Sequence, residues 1–239
     1  MTNVEKNAVT YNTSSEFDSN YWNCLDDTQK FYYESFYVGD GYIKSSDNTV
    51  GVDLAIRDYE WIENYKNNLN IDNKVYIRNQ MPKKNCISAS IRKKDKTWVK
   101  DLAKYKMVPR KTGHETLPMD YITNKKEAAA TLLGIFDSDG SIYKETDTNK
   151  YRASFCGTET VCNQINDIIT TYTDIEPNCI SLSNKKCNFI YSSRFGAKND
   201  LVQLYDFLYN TNSELENAWL NRKHSKFTDF MLQSCRTVV

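Results

Sequence analysis

The chain has 239 residues and no net charge, with 31 basic and 31 acidic side chains. That length allows one large domain or two of about 110 residues, each with its own core. No run of 18 apolar residues and no basic-then-apolar N-terminal segment occurs, which argues against a membrane span and a secretory signal. Seven cysteines without a CxxC pair indicate reduced, mostly buried thiols rather than disulfides or a zinc site. We therefore expect an intracellular, non-secreted protein of the cytoplasm, nucleoid or an organelle matrix.

Charge is distributed unevenly along the chain. Residues 74–111 carry thirteen basic and two acidic side chains, whereas residues 1–27, 28–73 and 112–239 are each net negative. A local positive field can attract phosphate although the total charge is zero. The pattern favours a nucleic-acid partner, and the competing interpretation is a solvated basic face without a ligand.

After an acidic tail at residues 1–27, the first half predicts helix, two strands, helix, two strands and helix. Val50, Val52 and Leu54 alternate with less apolar residues, as in a strand with one buried face. Asp58 and Asp95 precede periodic apolar segments and predict helix N-caps. The predicted elements are a helix from 27–28 to about 38, strands at 42–44, 50–56, 74–80 and 87–92 with a turn at 81–85, and helices at 58–69 and 95–105.

The second half repeats this order, and the recurrence supports a duplicated unit. We expect a first repeat at 28–111, a linker at 112–125, a second repeat at 126–232 and a C-terminal tail at 233–239. The predicted elements of the second repeat are helices at 127–136, 159–169, 198–209 and 214–232, and strands at 141–143, 151–155, 179–183 and 187–193 with a turn at 184–186. The predicted fold class is α+β, with two pseudo-symmetric αββαββα repeats that form a saddle-shaped pair of antiparallel sheets.

Two segments about a hundred residues apart share a helix that ends at a turn with a carboxylate. Residues 132–140 read Leu-Leu-Gly-Ile-Phe-Asp-Ser-Asp-Gly, and residues 33–41 form a weaker copy that ends in Asp40 and Gly41. A duplicated unit would bring Asp40 and Asp139 together at a symmetric centre. Paired carboxylates of this kind hold divalent metal in many nucleases.

These segments resemble the motif of the LAGLIDADG homing endonucleases in their two-motif, single-chain form. The second motif has the family's residues at Leu132, Gly134, Asp139 and Gly140. The first keeps only Asp40 and Gly41 strictly, with Ser35 at a glycine position, Glu34 at an alanine position and Val38 at the other aspartate.

The resemblance implies a Mg²⁺-dependent (or Mn²⁺-dependent) enzyme that cuts both strands of a long, asymmetric DNA target. Asp40 and Asp139 would be catalytic and bind the metal, with help from the backbone carbonyls of Gly39 and Ser138. Lys111 and Lys223 are expected to be the basic residues that stabilise charge on the phosphate. Ser35 and Gly134 would allow the two motif helices to pack closely. The expected protein is a monomer with internal pseudo-twofold symmetry, encoded in an intron or as a free-standing mobile element.

The strand faces opposite the core are expected to contact DNA, because side chains at every second position would point at base edges or phosphates. The residues expected on these faces are Lys74, Tyr76, Arg78, Ser88, Ser90 and Arg92 in the first repeat, and Arg152, Ser154, Ser181, Ser183 and Arg194 in the second.

Two other hypotheses stay open. A non-catalytic nucleic-acid binder of the same fold, such as an intron splicing maturase that binds intron RNA or a transcription regulator, is favoured by the degenerate first motif and the neutral charge. An unrelated α+β protein, in which the aspartates only end helices, is the third possibility.

Overall fold

The computed structural model describes residues 24–79, 87–184 and 187–236, and the same order of elements occurs twice within them. The first unit comprises α1 (Asp27–Gly39), β1 (Gly41–Lys44), β2 (Thr49–Ala55), α2 (Tyr59–Asn68), β3 (Tyr76–Asn79), β4 (Ile87–Lys94) and α3 (Lys96–Lys104). The second comprises α4 (Lys125–Asp139), β5 (Gly140–Lys144), β6 (Tyr151–Gly157), α5 (Glu159–Tyr172), β7 (Ser181–Asn184), β8 (Cys187–Phe195), α6 (Lys198–Tyr205) and a further helix, α7 (Asn221–Arg236).

Each unit contains a four-stranded antiparallel sheet with the same strand order, β1-β2-β4-β3 in the first and β5-β6-β8-β7 in the second. Val52 of β2 pairs with Gly41 and Ile91, and Phe155 of β6 pairs with Gly140 and Ser193 in the same way. The predicted fold class, α+β with two pseudo-symmetric repeats, is confirmed.

The core lies on one face of each sheet. Val50, Val52 and Leu54 of β2 are buried, and so are Ala153 and Phe155 of β6. Helices cover these faces, and strand alternation turns every second side chain of each strand toward the helices. On the opposite face of each sheet, called the open face below, the strand register places most of the polar side chains of the described strands.

The two units are joined by close packing of α1 against α4. A Cβ atom built on Gly134 would lie 2.9 Å from the Phe36 backbone nitrogen and 3.0 Å from the Ser35 Cβ. Since real Cβ atoms essentially never approach a backbone atom this closely, only glycine allows α1 to lie where it does. Ser35 and Gly134 therefore face each other across the helix pair.

Several boundaries differ from those expected. Asp26, rather than residues 27–28, caps α1, and it forms a capping box with Gln29. Helix α4 continues through Asp139, and β5 begins at the next residue, so no separate turn intervenes. β3 begins at Tyr76, two residues later than expected.

The helix expected at 214–232 is the largest error. Residues Ser213–Leu215 form a 3-10 turn, and α7 begins only at Asn221 and runs to Arg236. Consecutive buried residues, Ala218 to Leu220, break the helical spacing here. The Leu220 backbone N–H donates to the Asp137 carboxylate, which sets the start of α7.

Four cysteines lie in the described ranges with assigned exposure: Cys24 and Cys179 are exposed, Cys156 is partly buried and Cys162 is buried, and none of the four forms a disulfide bond. The expectation of buried thiols holds for Cys162 and is wrong for Cys24 and Cys179. Among the described helices, none is long and apolar enough to cross a membrane. The expected turn at 81–85 and most of the acidic tail at 1–27 lie outside the described residues, as do positions 185 and 186 of the second turn.

Candidate active site

The ends of the motif helices bring the two candidate aspartates to one place. Asp40 is the C-cap residue of α1, and its N–H donates to the Phe36 carbonyl. Asp139 is the last residue of α4. A Cβ atom on Gly39 would lie 2.7 Å from the Asp139 Oδ2 atom, so the residue next to Asp40 touches the Asp139 carboxylate. The two halves of the chain therefore each contribute one acid to the same end of the helix pair.

Both carboxyl groups bind protons more tightly than usual. Desolvation, followed by repulsion from Asp139, raises the pKa of Asp40 to about 6, against the opposing effects of Lys223 and Lys111. Desolvation also raises the pKa of Asp139, against attraction from Lys111 and Lys223. Both aspartates keep solvent access. The two acids and two lysines thus form one electrostatic cluster that a substrate can reach.

Each lysine bonds to the C-terminal end of the motif helix in its own repeat. The Lys111 Nζ atom donates to the carbonyls of Val38 and of Gly39, the latter at 2.7 Å. The Lys223 Nζ atom donates at 2.6 Å to three carbonyls, those of Phe136, Asp137 and Gly140. Carbonyls in the last turn of a helix lack intrahelical partners and carry the negative end of the helix dipole. The ammonium groups are therefore fixed beside the two aspartates.

Lys223 is buried, with 3% of its surface exposed. Desolvation lowers its pKa to about 8, mainly opposed by the negative charge of Asp137. Desolvation also lowers the pKa of Lys111, opposed by Asp139, Glu115 and Asp40. The burial cost is offset by the carbonyl bonds, so these lysines are built into the site rather than free on the surface.

Asp137 supports the site from within the core. It is fully buried, and its Oδ2 atom accepts from the Tyr32 hydroxyl at 2.9 Å and from the Leu220 N–H at 2.8 Å. Desolvation raises its pKa to about 6, against the attraction of Lys223. Because α7 starts directly after Leu220, Asp137 holds the helix that carries Lys223. Asp137 therefore positions Lys223 from within the core and is not itself exposed to solvent.

The donor set fits a hard divalent cation. The two carboxylates supply oxygen ligands that repel each other, and a cation between them would relieve this repulsion. Mg²⁺ takes one or two carboxylates, keeps several waters and binds phosphate oxygens, so two acids suffice for it. In the described ranges no group of three or more His, Cys, Asp or Glu side chains could hold a metal. The carbonyls of Gly39 and Ser138, expected as further ligands, accept from Lys111 at 2.7 Å and from Lys223 at 3.4 Å.

Most of the expected DNA-contacting residues of the first repeat lie on the open face of their sheet. The register pairs Tyr76 with Ser90 and Arg78 with Ser88, opposite to the core face. Ser90 is fully buried, so its expected exposure is wrong. Ser90 belongs to β4, and an ion pair of 3.9 Å between Arg78 of β3 and Asp53 of β2 spans this strand. Lys74 is exposed but precedes β3, so strand alternation does not set its direction.

A cleft on this face was not expected from the sequence. It has a volume of about 740 Å³, and its lining includes Tyr42, Lys44, Tyr76, Arg92 and Lys94. The Arg92 guanidinium lies 5.7 Å from the centre of the Tyr76 ring. The strand spacing of β1 could have identified Lys44 and Tyr42 as residues of this cleft, because it puts them on the same face as Arg92.

The open face of the second sheet is less basic. Arg194 pairs with Ser154 across β6 and β8, and Arg152 pairs with Tyr143. Arg152 bonds to Glu145 at 3.0 Å, and Ser154, 7% exposed, shares a hydrogen bond with Ser141. Arg194, Ser181 and Ser183 are exposed, although a register shift between Leu182 and Asn184 interrupts the alternation around Ser183.

Two residues near the site were not identified as functional from the sequence. Glu115, in the linker, acts on the charges of Lys111 and Asp139 and lines a cavity of about 140 Å³ together with Asp139. Asp58, expected only as a helix cap, accepts two hydrogen bonds from Arg222. Such long-range pairs have no signal in the spacing of a single sequence.

Comparison with known proteins identifies the fold. No family model matches the sequence, and no curated protein matches it. Among solved structures, the homing endonuclease I-WcaI bound to its DNA recognition sequence superposes with a TM-score of 0.58 at 13% identity, covering 87% of this chain and 90% of that one. The LAGLIDADG homing endonuclease I-GzeII in complex with a DNA target has a TM-score of 0.56 at 12% identity, covering 90% and 93%.

A third match is full-length DUF199/WhiA from Thermatoga maritima, with a TM-score of 0.50 at 12% identity, covering 92% of this chain and 62% of that protein. This chain therefore has the LAGLIDADG fold over most of its length.

Proposed function

We propose that this chain is a site-specific, double-strand DNA endonuclease that uses Mg²⁺ or Mn²⁺ and acts as a monomer. The observation that carries the proposal is the convergence of Asp40 and Asp139 at the end of the α1–α4 pair, with a lysine from each repeat fixed beside them. A protein that only binds DNA has no chemical need for two partly desolvated acids at this point.

Each residue of the cluster has a role that follows from its environment. Asp40 and Asp139 would hold the metal, which would supply a bound water of lowered pKa and a positive charge for the phosphate oxygens. Lys111 and Lys223 would place positive charge next to the phosphate as negative charge develops on it. Because their ammonium groups are already bonded to carbonyls, they need little reorganisation when the substrate arrives.

The open sheet faces support a DNA substrate. In the first repeat, Arg78, Arg92, Lys44 and Lys94 lie on the same face as the cleft, where arginine can pair with guanine and lysine with phosphate. Both superposed homing endonucleases are bound to DNA. Two unequal faces suit an asymmetric target, since each sheet would contact a different half.

Digestion of a randomised DNA library, followed by sequencing of the ends, tests the proposal. With Mg²⁺ we expect double-strand cuts within one long sequence. With Ca²⁺ in its place we expect binding without cutting, because its looser coordination suits the reaction poorly. Cleavage in Ca²⁺ alone would contradict the metal role.

The second candidate is a non-catalytic binder of DNA or intron RNA. The positions at which the first motif differs from the LAGLIDADG pattern favour this candidate. The main one is Glu34, which is fully buried and whose two carboxyl oxygens have no hydrogen-bond partner among the described residues. Tight, salt-sensitive binding with no cut anywhere in the library would support this candidate over the endonuclease.

A further inference from the structure

The segment that carries Lys223 is bonded to the other repeat. The Arg222 Nε and Nη2 atoms donate to the Asp58 carboxylate at 2.6 and 3.1 Å, and Asp58 has 6% of its surface exposed. Asp58 is the N-cap residue of α2, and its carboxylate serves this bidentate pair rather than capping the helix. The neighbouring Asn221 donates to Glu60 of α2 at 3.2 Å. The first repeat thus holds the start of α7 from across the molecule.

The segment after Lys111 is bonded to the second repeat in the corresponding way. The Thr158 hydroxyl, which belongs to the N-cap residue of α5, donates to the Glu115 carbonyl at 3.0 Å. Gln164 of α5 accepts from the Leu117 N–H at 2.8 Å and donates to the Thr116 hydroxyl at 2.9 Å. Helices α2 and α5 occupy the same place in the two repeats, so the two arrangements are reciprocal.

We propose that Asp58 and Thr158 are positioning residues that act across the pseudo-twofold axis, Asp58 for Lys223 and Thr158 for Lys111. The reason is geometric. Each lysine donates to the motif helix of its own repeat. The N-cap residue of the other repeat holds the segment near each lysine, through the Arg222 guanidinium beside Lys223 and through the Glu115 carbonyl near Lys111. Each half of the site is therefore complete only when the other repeat is docked, which would couple the two strand cleavages.

Selective amine labelling tests the positioning without any need for enzymatic activity. The protein is treated with trace acetic anhydride, and labelling of each lysine is quantified by mass spectrometry, with exposed Lys100 as internal reference. In Asp58→Asn we expect Lys223 to be labelled roughly tenfold faster, the effect of one lost charged hydrogen bond, with Lys111 unchanged. In Thr158→Val we expect faster labelling of Lys111 with Lys223 unchanged.

Two further variants separate positioning from general loss of structure. Arg222→Gln breaks the same pair from its other side and should reproduce the Asp58→Asn pattern. Thr158→Ser keeps the hydroxyl and should restore the wild-type pattern. Equal acceleration at both lysines, or none at either, would overturn the proposal.

Strand-specific cleavage tests the consequence, which rests on the proposed endonuclease function. With each strand of the target end-labelled, Asp58→Asn should slow cutting of one strand roughly tenfold and Thr158→Val should slow the other, since small misplacements cost rate steeply. Equal slowing of both strands would contradict crosswise positioning. If the wild type cuts nothing, the endonuclease proposal fails, and the labelling result still decides whether the two lysines are held as described.

Discussion

The two site aspartates lower the stability of the fold in which they lie. Burial and mutual repulsion raise the pKa of Asp40 to about 6, whereas a free aspartate titrates near 4. The folded state therefore binds this proton more tightly than the unfolded chain, and the ionised carboxyl costs stability. The cost appears as pH rises from about 4 to about 6 and stays constant above that range.

Asp40→Asn should therefore stabilise the protein at neutral pH and have little effect below about pH 4. Because Asp40 keeps solvent access, water screens the repulsion and we expect a gain of at most about 1 kcal/mol. Thermal unfolding of both proteins between pH 3.5 and 8, without divalent metal, measures the difference. Added Mg²⁺ should raise the wild-type Tm more than that of the variant. A variant less stable than the wild type at pH 7 would mean that Asp40 is held by bonds the fold needs.

At the scale of elements, the α1–α4 pair decides whether the site exists. Its contact depends on Gly134, where a Cβ would meet backbone atoms of α1. Backbone cannot move aside as a flexible side chain can, so any larger residue must separate the helices.

Gly134→Ala should destabilise the protein, since overpacking costs about 1–3 kcal/mol and outweighs the better helix propensity of alanine, worth about 1 kcal/mol. Ser35→Ala, in the facing helix, is the matched control. The Ser35 hydroxyl is buried without a partner in the described part of the chain, so its removal should be neutral or stabilising. Denaturant unfolding compares the two. A Gly134→Ala protein as stable as the wild type would show that the helices are not in tight contact.

At the scale of the whole molecule, the basic block of residues 74–111 is divided between two surfaces. Arg78 and Arg92 lie on the open face of the first sheet, whereas Lys96, Lys100 and Lys104 belong to α3, which packs on the core side. Only the first group can contribute to a DNA surface on the sheet.

Salt dependence of DNA binding distinguishes the two groups. Arg92→Ala should weaken binding and reduce the slope of log K against log salt by about 1, the effect of one lost phosphate contact. Lys100→Ala removes a charge from the same block but from α3, and should leave the slope unchanged. Equal effects of both changes would mean that the whole block, and not the sheet face, attracts DNA.

Much of this architecture was predictable because it depends on local pattern. Strand alternation around Val52 and N-cap residues such as Asp95 located most elements, and the duplicated motif located Asp40, Asp139 and the helix contact at Gly134. The region before α7 was not predictable, because its start depends on the distant Asp137 carboxylate. The burial of Ser90 and the ion pair between Asp58 and Arg222 were not predictable from the sequence either, since they depend on which strands and repeats become neighbours.

The most direct test of the account is the Asp139→Asn variant, assayed for cleavage and binding on the target selected from the library. We expect cleavage in Mg²⁺ to be abolished while affinity for the same DNA stays within a small factor of wild type, because the change removes a proposed metal ligand and no sheet contact. Asp40→Asn should behave in the same way. Undiminished cleavage by either variant, or loss of binding together with cleavage, would contradict the claim that these two carboxylates form the active site.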